Sequence, residues 1–286
     1  MQNRRDIAVQ ALTSALRLRK QLNVGHEESI SALDAADKLG IETRFVDLPS
    51  MEGMYIAGPN PAILLSSLRP QGRRAFTCAH EIGHHILGHG AQFDELVSDK
   101  GQSRRDDPRE FAADCFASYF LIPKVTLENG LSKRGLSYSS LEPSQVYRLS
   151  SWLGVGYRTL IGHMAFGLKT ISTDQAERLK KAEPRDIRQA LLSGMKVPSL
   201  HVADEHWVGR AIDCEVGGYV MAPRTSHIEG SSIRMVEALP KVRLFEAAKP
   251  GIARIHDQTT GWSAFIRVSR KAYTGRSCFR FEEECD

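Results

Sequence analysis

The segment His80-Glu-Ile-Gly-His84 carries the side chains of this chain that are best suited to metal chemistry. On an α-helix, His80 and His84 project from one face about one turn apart, so their ring nitrogens can bind one Zn²⁺ ion. Glu81 lies beside that face, where its carboxylate can accept a proton from a water molecule. The spacing predicts a catalytic zinc centre with His80 and His84 as ligands and Glu81 as the catalytic carboxylate.

The residues around this motif favour a half-buried helix that ends at Gly88 or Gly90. Its apolar side is formed by Ala75, Phe76, Cys78, Ala79, Ile82, Ile86 and Leu87. The alternative is a histidine-rich helix end whose imidazoles are only solvated or hydrogen-bonded. His85 and His89 are interpreted as solvated or second-shell side chains rather than as ligands.

A second helix is predicted to supply the third ligand, because catalytic zinc usually has three protein ligands. Asp107 is a suitable N-cap, Pro108 a suitable first residue and Pro123 a helix terminator. Glu110 is the predicted third ligand; the alternative is an ordinary exposed glutamate in a first helical turn. Small residues at 113 and 117 would allow close approach to a partner helix.

Asp114 follows Glu110 by one helical turn on the same face. It is the candidate second-shell carboxylate that orients a ligand histidine.

Composition and charge exclude several classes of protein. The chain has 286 residues, is 42% hydrophobic and carries a net charge of +4, which is too mild to indicate a nucleic-acid partner. No apolar run is long enough to span a bilayer and no export signal is visible, so no membrane partner is predicted. The five cysteines form no CxxC pair. They are typical of reduced thiols, and a cytoplasmic location is expected.

The predicted fold is α+β and falls into three parts. Residues 1–126 form a mainly helical, zincin-like metallopeptidase domain with a small sheet, which includes short strands at 41–46, 54–57 and 62–66. Residues 127–185 form a helical, helix-turn-helix-like segment. Residues 195–286 form an α+β or mostly β module, interpreted as a sensor or regulatory domain. Its short strands are predicted at 216–221, 232–239, 242–245, 252–255 and 264–268, separated by Gly, Pro and charged turns. The polar stretch 94–107 is predicted to be a flexible loop.

Within the segment 127–185, residues 144–156 resemble a helix-turn-helix, with Gly154 in the turn. Such a segment would suggest DNA binding. However, the following residues 157–166 carry one arginine and a largely apolar face, so a packing helix pair is the favoured interpretation.

The C-terminal module contains a basic stretch that could contact a phosphate backbone. Its cations are Arg267, Arg270, Lys271, Arg276 and Arg280, interleaved with Phe265, Tyr273 and Phe279. Stacking of bases on such aromatic rings is one expectation. The alternative is a solvated face of a sheet, neutralised by the acidic residues 282–284.

Three segments together resemble the ImmA/IrrE family of bacterial and phage metallopeptidases. They are Phe76-Thr-Cys-Ala-His-Glu-Ile-Gly-His84, Glu110-Phe-Ala-Ala-Asp-Cys-Phe-Ala117 and Leu121-Ile-Pro123. The resemblance extends from about residue 30 to residue 170. It implies a gluzincin-like peptidase with ligands His80, His84 and Glu110 and with Glu81 as the catalytic carboxylate. Asp114 stands where the family commonly has asparagine.

The same resemblance implies a substrate and a biological role. The expected substrate is a helix-turn-helix repressor, whose cleavage would derepress a stress, DNA-damage, mobile-element or anti-phage operon. A ligand of the C-terminal module, such as single-stranded DNA, is the expected activator. The alternatives are a non-enzymatic DNA-binding regulator with a structural zinc and a peptidase that acts on a toxin–antitoxin component.

Three details of the chemistry remain open at this stage. The oxyanion donor could be His85, His89, His163 or Tyr119. The strand at 62–66 could hold an extended substrate by edge pairing. A cysteine thiolate (Cys115, Cys214, Cys278 or Cys285) could occupy the open zinc position and inhibit the enzyme, the alternative being small buried thiols.

Overall fold

The protein is described by a computed structural model that covers residues 3–90, 92–95 (backbone only), 107–207 and 210–282. The helices are α1 Arg4–Gln21, α2 Ala32–Lys38, α3 Gln71–Leu87, α4 Pro108–Leu121, α5 Lys124–Lys133, α6 Pro143–Leu153, α7 Tyr157–Gly162, α8 Thr173–Lys180 and α9 Pro184–Leu191. The strands are β1 Glu42–Val46, β2 Met51–Ile56, β3 Ala62–Ser66, β4 Gln92–Glu95, β5 Leu200–Val202, β6 Ile212–Glu215, β7 Tyr219–Pro223, β8 His227–Glu229, β9 Ile233–Ala238, β10 Val242–Ala247, β11 Gly251–His256, β12 Ser263–Ser269 and β13 Gly275–Arg276. The α+β class is confirmed.

The chain divides into two compact units. The first unit contains residues 1–127, 154–156 and 274–277, and the second contains 128–153, 157–273 and 278–286. The first unit ends close to the predicted border at residue 126. The helices between 128 and 191 share the second unit with the C-terminal strands, whereas the sequence suggested a separate segment for 127–185.

One five-stranded sheet supports the first unit, in the order β13-β1-β3-β2-β4. β3 pairs parallel with β1 and antiparallel with β2, so it has a hydrogen-bonded neighbour on each side. The expectation that residues 62–66 offer a free edge to a substrate is therefore wrong. β4 is an outer strand of this sheet, and it pairs antiparallel with β2.

Helix α3 carries the HExxH motif and ends as the sequence predicts. Gly88 caps it in the left-handed conformation with φ = 70°, which glycine adopts without a steric penalty. The helix packs closely against α4 through small side chains. A Cβ atom placed at Gly83 would lie 3.2 Å from Ala113 Cα and 3.1 Å from Phe116 Cδ1. Ala113 and Ala117 are fully buried, as predicted for a close helix crossing.

Helix α4 begins with the predicted cap. The side chain of Asp107 accepts a hydrogen bond from Arg109 N at 2.8 Å, and Pro108 is the first helical residue. The helix ends at Leu121, two residues before Pro123. Of the predicted loop at 94–107, residues 94–95 belong to β4 and residues 96–106 lie outside the described part of the chain.

The second unit combines helices with two four-stranded sheets. The sheet orders are β5-β7-β10-β9 and β6-β12-β11-β8. The sequence predicts β9 to β12 within a few residues, but a predicted strand at 216–221 runs across the turn between β6 and β7. Gly217 and Gly218 form that turn, and Gly217 has φ = 81°.

Helices α6 and α7 follow the predicted helix-turn-helix pattern, and Gly154 precedes α7 with φ = 72°. Tyr157, Leu160 and Ile161 are buried, and Arg158 forms an ion pair with Glu183. These contacts agree with the interpretation of a packing helix pair. None of the helices within the described ranges has the length and hydrophobicity required to cross a membrane.

A buried arginine links α1 to the end of α4. Arg19 Nη1 donates to the carbonyl of Phe120 at 2.8 Å, and Nη2 donates to the carbonyls of Gly25 and Glu28. Burial lowers the pKa of Arg19 to about 10, so the guanidinium stays charged at neutral pH. Buried hydrogen bonds to a charged donor are among the stronger ones in proteins.

We predict that Arg19→Met destabilises the protein by on the order of 3 kcal/mol, because several buried carbonyl groups lose their donor. Thermal or urea unfolding measures the change. Arg17→Met is the matched control, since Arg17 is exposed on the same helix. Equal unfolding midpoints for the two variants would contradict this account.

Candidate metal centre

Three side chains from α3 and α4 converge on one point. His80 Nε2 lies 2.9 Å from His84 Nε2 and 3.4 Å from Glu110 Oε2. His84 Nε2 lies 3.4 Å from Glu110 Oε1. The two histidines are buried and the Glu110 side chain is 13% exposed. The structure thus brings together the three predicted ligands, and this group could hold a metal ion.

The donor set fits zinc. Two imidazole nitrogens and one carboxylate form a standard catalytic zinc set. Ligand atoms about 2.0–2.1 Å from a tetrahedral Zn²⁺ are about 3.4 Å apart. The two distances to Glu110 match this value, and the nitrogen–nitrogen distance of 2.9 Å is slightly shorter. A small adjustment of the two rings would complete the geometry.

Both ligand histidines make a contact through the other ring nitrogen. His80 Nδ1 donates to Asp114 Oδ1 at 2.9 Å, and the Asp114 side chain remains 63% exposed. His84 Nδ1 lies 3.0 Å from His89 Nδ1. Such contacts fix the tautomer and the orientation of a ligand ring. Asp114 therefore lies where its predicted role requires, one turn after Glu110.

The contact between His84 and His89 requires one donor and one acceptor. Burial, together with the Arg109 guanidinium, holds the pKa of His89 below its usual range. The neutral His89 ring can then accept a hydrogen bond from His84 Nδ1–H, which leaves the lone pair of His84 Nε2 available to bind a metal. The sequence suggested only that His89 is a solvated or second-shell side chain. Its position directly after Gly88, the residue that caps α3, is the sequence signal for a side chain that contacts the end of this helix.

Glu81 lies on a different face of α3, which packs against β2. Its side chain is fully buried. A Cβ atom built at Gly53 of β2 would lie 2.8 Å from Glu81 Oε1 and 2.4 Å from Thr77 Cγ2. One step along the strand, the Tyr55 hydroxyl lies 2.7 Å from His85 Nδ1. Neither Gly53 nor Tyr55 was predicted from the sequence; a glycine directly before the predicted strand at 54–57 was the available signal.

The candidate oxyanion donors differ in position. Tyr119 follows Glu110 by nine residues, about two and a half helical turns, so the two side chains leave opposite sides of α4. Burial raises the pKa of Tyr119. His163 is buried in a π-helical turn of the second unit, next to Gly167. His85 and His89 lie at the end of α3 and remain candidates.

The cysteines lie in different surroundings. Cys78 is buried, and Cys115 leaves α4 about 140° around the helix from Glu110. Burial and the neighbouring Asp114 raise the pKa of Cys115 to about 11. Burial also raises the pKa of Cys214, to about 12, so both thiols are protonated at neutral pH. Cys278 is exposed, and Cys285 lies outside the described residues.

Most of the basic stretch forms ion pairs or cation–π contacts within the protein. Arg267 binds Asp213 through two hydrogen bonds of 2.6 and 2.9 Å, and the buried Arg280 lies 3.9 Å from the same carboxylate. Arg276 pairs with Glu42 at 2.6 Å. Arg270 lies over the ring of Tyr273, and Lys271 is exposed. Asp213 and Glu42 thus neutralise several of these cations. The sequence suggested that the acidic residues 282–284 would do so.

The chain was compared with protein families, with curated proteins and with solved structures. Residues 36–160 match the model of the Peptidase M78 family, described as the IrrE N-terminal-like domain. No curated protein matches the sequence. One similar solved structure is a Mycobacterium tuberculosis transcriptional regulator, with 18% identity and a TM-score of 0.35. The match covers 56% of this chain and 46% of that one, so the chain spans about half the length of that protein.

The matched residues contain β1 to β4, both helices of the metal centre and α5 and α6. This family supports a metallopeptidase with a bound metal ion. The resemblance deduced from the three sequence segments is confirmed: residues 36–160 match the IrrE N-terminal-like domain of the Peptidase M78 family.

Proposed function

We propose that the protein is a zinc-dependent endopeptidase that cleaves a helix-turn-helix transcriptional repressor. The observation that carries this proposal is the convergence of His80, His84 and Glu110 within 4.8 Å, with Glu81 on the next face of the same helix. The M78 match supports the reaction class. A purely structural zinc site would have no need for a buried carboxylate at position 81.

The ligands in this proposal are His80 and His84 from α3 and Glu110 from α4. A bound zinc ion would polarise the scissile carbonyl and lower the pKa of water toward neutrality. Asp114 and His89 hold the two imidazole rings in the orientation that points each Nε2 toward the shared site.

Glu81 is the proposed general base. Its carboxylate takes a proton from the attacking water and passes it to the leaving amine. Burial against β2 restricts the side chain, so the carboxylate is held at one place next to Gly53. Such a fixed base is worth about 10²–10⁴ in rate.

The proposed substrate is a repressor whose loss derepresses a stress, DNA-damage, mobile-element or anti-phage operon. Its support is the family resemblance, which also suggests that the C-terminal module receives the signal. We propose a ligand of that module, such as single-stranded DNA, as the trigger. The rival is a DNA-binding regulator with a structural zinc; a toxin–antitoxin component is the other substrate to compare.

The decisive experiment is coexpression with the neighbouring helix-turn-helix gene, with and without DNA damage. We predict cleavage of the repressor by the wild-type protein and loss of cleavage in Glu81→Gln, with zinc content unchanged. The amide keeps the size of the side chain but cannot accept the proton. Cleavage at full rate by Glu81→Gln, measured by gel and mass spectrometry, would exclude this mechanism; regulation that survives mutation of the motif would favour the rival.

A second prediction concerns Asp114. Asp114→Ala removes the acceptor of His80 Nδ1 and should weaken zinc binding about 10–100-fold. Asp114→Asn keeps an acceptor oxygen and should weaken zinc binding much less than Asp114→Ala does. Competition with a zinc chelator measures both affinities. The proposed role is wrong if both substitutions weaken zinc binding equally.

His89 gives a third prediction. His89→Ala should also weaken zinc binding, by about 10–100-fold, because His84 loses the acceptor that fixes its ring. The same chelator titration applies. His26→Ala serves as the control, since His26 lies between α1 and α2 and outside the metal site. An unchanged zinc affinity in His89→Ala would show that another group orients His84.

A further inference from the structure

Strand β2 has a gap in its side chains where it crosses α3. Met51, Gly53 and Tyr55 are buried in alternation along the strand. Met51 and Tyr55 fill their places with large side chains, whereas Gly53 leaves its place to two residues of α3. A Cβ atom at position 53 would meet Thr77 Cγ2 at 2.4 Å and Glu81 Oε1 at 2.8 Å.

Backbone conformation does not explain this glycine. Gly53 is absent from the positive-φ residues of the chain, so its φ is one that any residue adopts. It pairs with Leu65 of β3 in antiparallel register, and the pairing of β2 with β4 has a register shift between Met51 and Gly53. Glycine in the interior of a strand is unfavourable, because it has no side chain to pack and loses more entropy on folding. A bulge residue with a negative φ need not be glycine, so the space beside α3 is the reason for glycine that the contacts support.

The space is used by the proposed general base. Glu81 is fully buried, and one of its carboxylate oxygens lies where an alanine methyl group at position 53 would make a contact closer than van der Waals distance. The metal-ligand face of α3 is directed toward α4 instead. A side chain at position 53 would thus disturb Glu81 and Thr77 and leave His80, His84 and Glu110 in place.

We infer that Gly53 is a positioning residue for catalysis, because its missing side chain creates the space that fixes the Glu81 carboxylate on the helix that carries His80 and His84. This inference rests on the proposed peptidase function. It means that catalysis also depends on the absence of a side chain in β2, a strand that contributes no proposed metal ligand and no reacting group.

The experiment uses Gly53→Ala in the full-length protein. Because Thr77 Cγ2 is also close, Thr77→Ser is added to remove that methyl group while the hydroxyl stays. In the double variant Gly53→Ala/Thr77→Ser, the added methyl group at position 53 is then close to the Glu81 carboxylate only. Thr77→Ser is the matched control, and we expect it to cleave the repressor like the wild type.

We expect the double variant to bind zinc as the control does, with a KM close to the control value. Its kcat should fall by a large part of the ~10²–10⁴-fold that a positioned base contributes. Full kcat in the double variant would overturn the inference. Loss of zinc would overturn it as well, because the metal ligands would then depend on position 53.

A double-mutant cycle, measured by thermal unfolding, tests the same contact without any substrate. In the Thr77→Ser background, Gly53→Ala should lower the unfolding temperature, and it should lower it much less when Glu81→Ala is also present. Non-additivity of this kind reports direct contact between two positions. Additive shifts would refute the contact between positions 53 and 81. If the wild type cleaves no repressor but the cycle is non-additive, the proposed function fails while the contact stands.

Discussion

The close crossing of α3 and α4 is the constraint on which the metal centre depends. Helices in proteins usually pack with their axes about 8–10 Å apart, and the side chains at the crossing set that distance. Here Gly83 lies against Ala113 and Phe116, between the two histidines of the motif. The absence of bulk at position 83 lets Glu110 reach His80 and His84 from the neighbouring helix. Position 83, directly before the second histidine, thus does not accept a larger residue without a shift of the two helices.

A second constraint acts on the opposite side of the same helix. Four residues of α-helix rise about 6.0 Å, and two residues of a β-strand advance about 6.6–6.8 Å. The contacts of Gly53 with Glu81 and of Tyr55 with His85 follow this near match along α3 and β2. One helix can therefore direct its ligands toward a helix and its carboxylate toward a sheet. In the HExxH motif, the two histidines therefore face α4 and the glutamate faces β2.

Sequence alone predicts the parts of this site that depend on local signals. The helical spacing of the histidines, the Asp107 cap, the Pro108 start and the small residues of α4 are all readable within a few positions of the chain. Strand pairing is less accessible, because it depends on partners far away in sequence. The central position of β3 and the addition of β13 beside β1 could not be inferred for that reason. The role of Gly53 was hidden in another way, since a glycine fills no space and the residue that uses the space is 28 positions later, at Glu81.

The place of β13 has a consequence for how the molecule is made. Gly275 and Arg276 pair with Phe45 and Arg44 of β1, and Arg276 also forms an ion pair with Glu42. During synthesis, β1 leaves the ribosome long before these partners do. One edge of the first sheet then carries unpaired backbone groups until residues 275–276 have been translated, and unpaired edges of this kind invite contact with other chains. The first unit therefore completes its sheet only after most of the second unit has been translated, and a gene shortened before residue 275 would deliver the candidate metal ligands on an unfinished sheet.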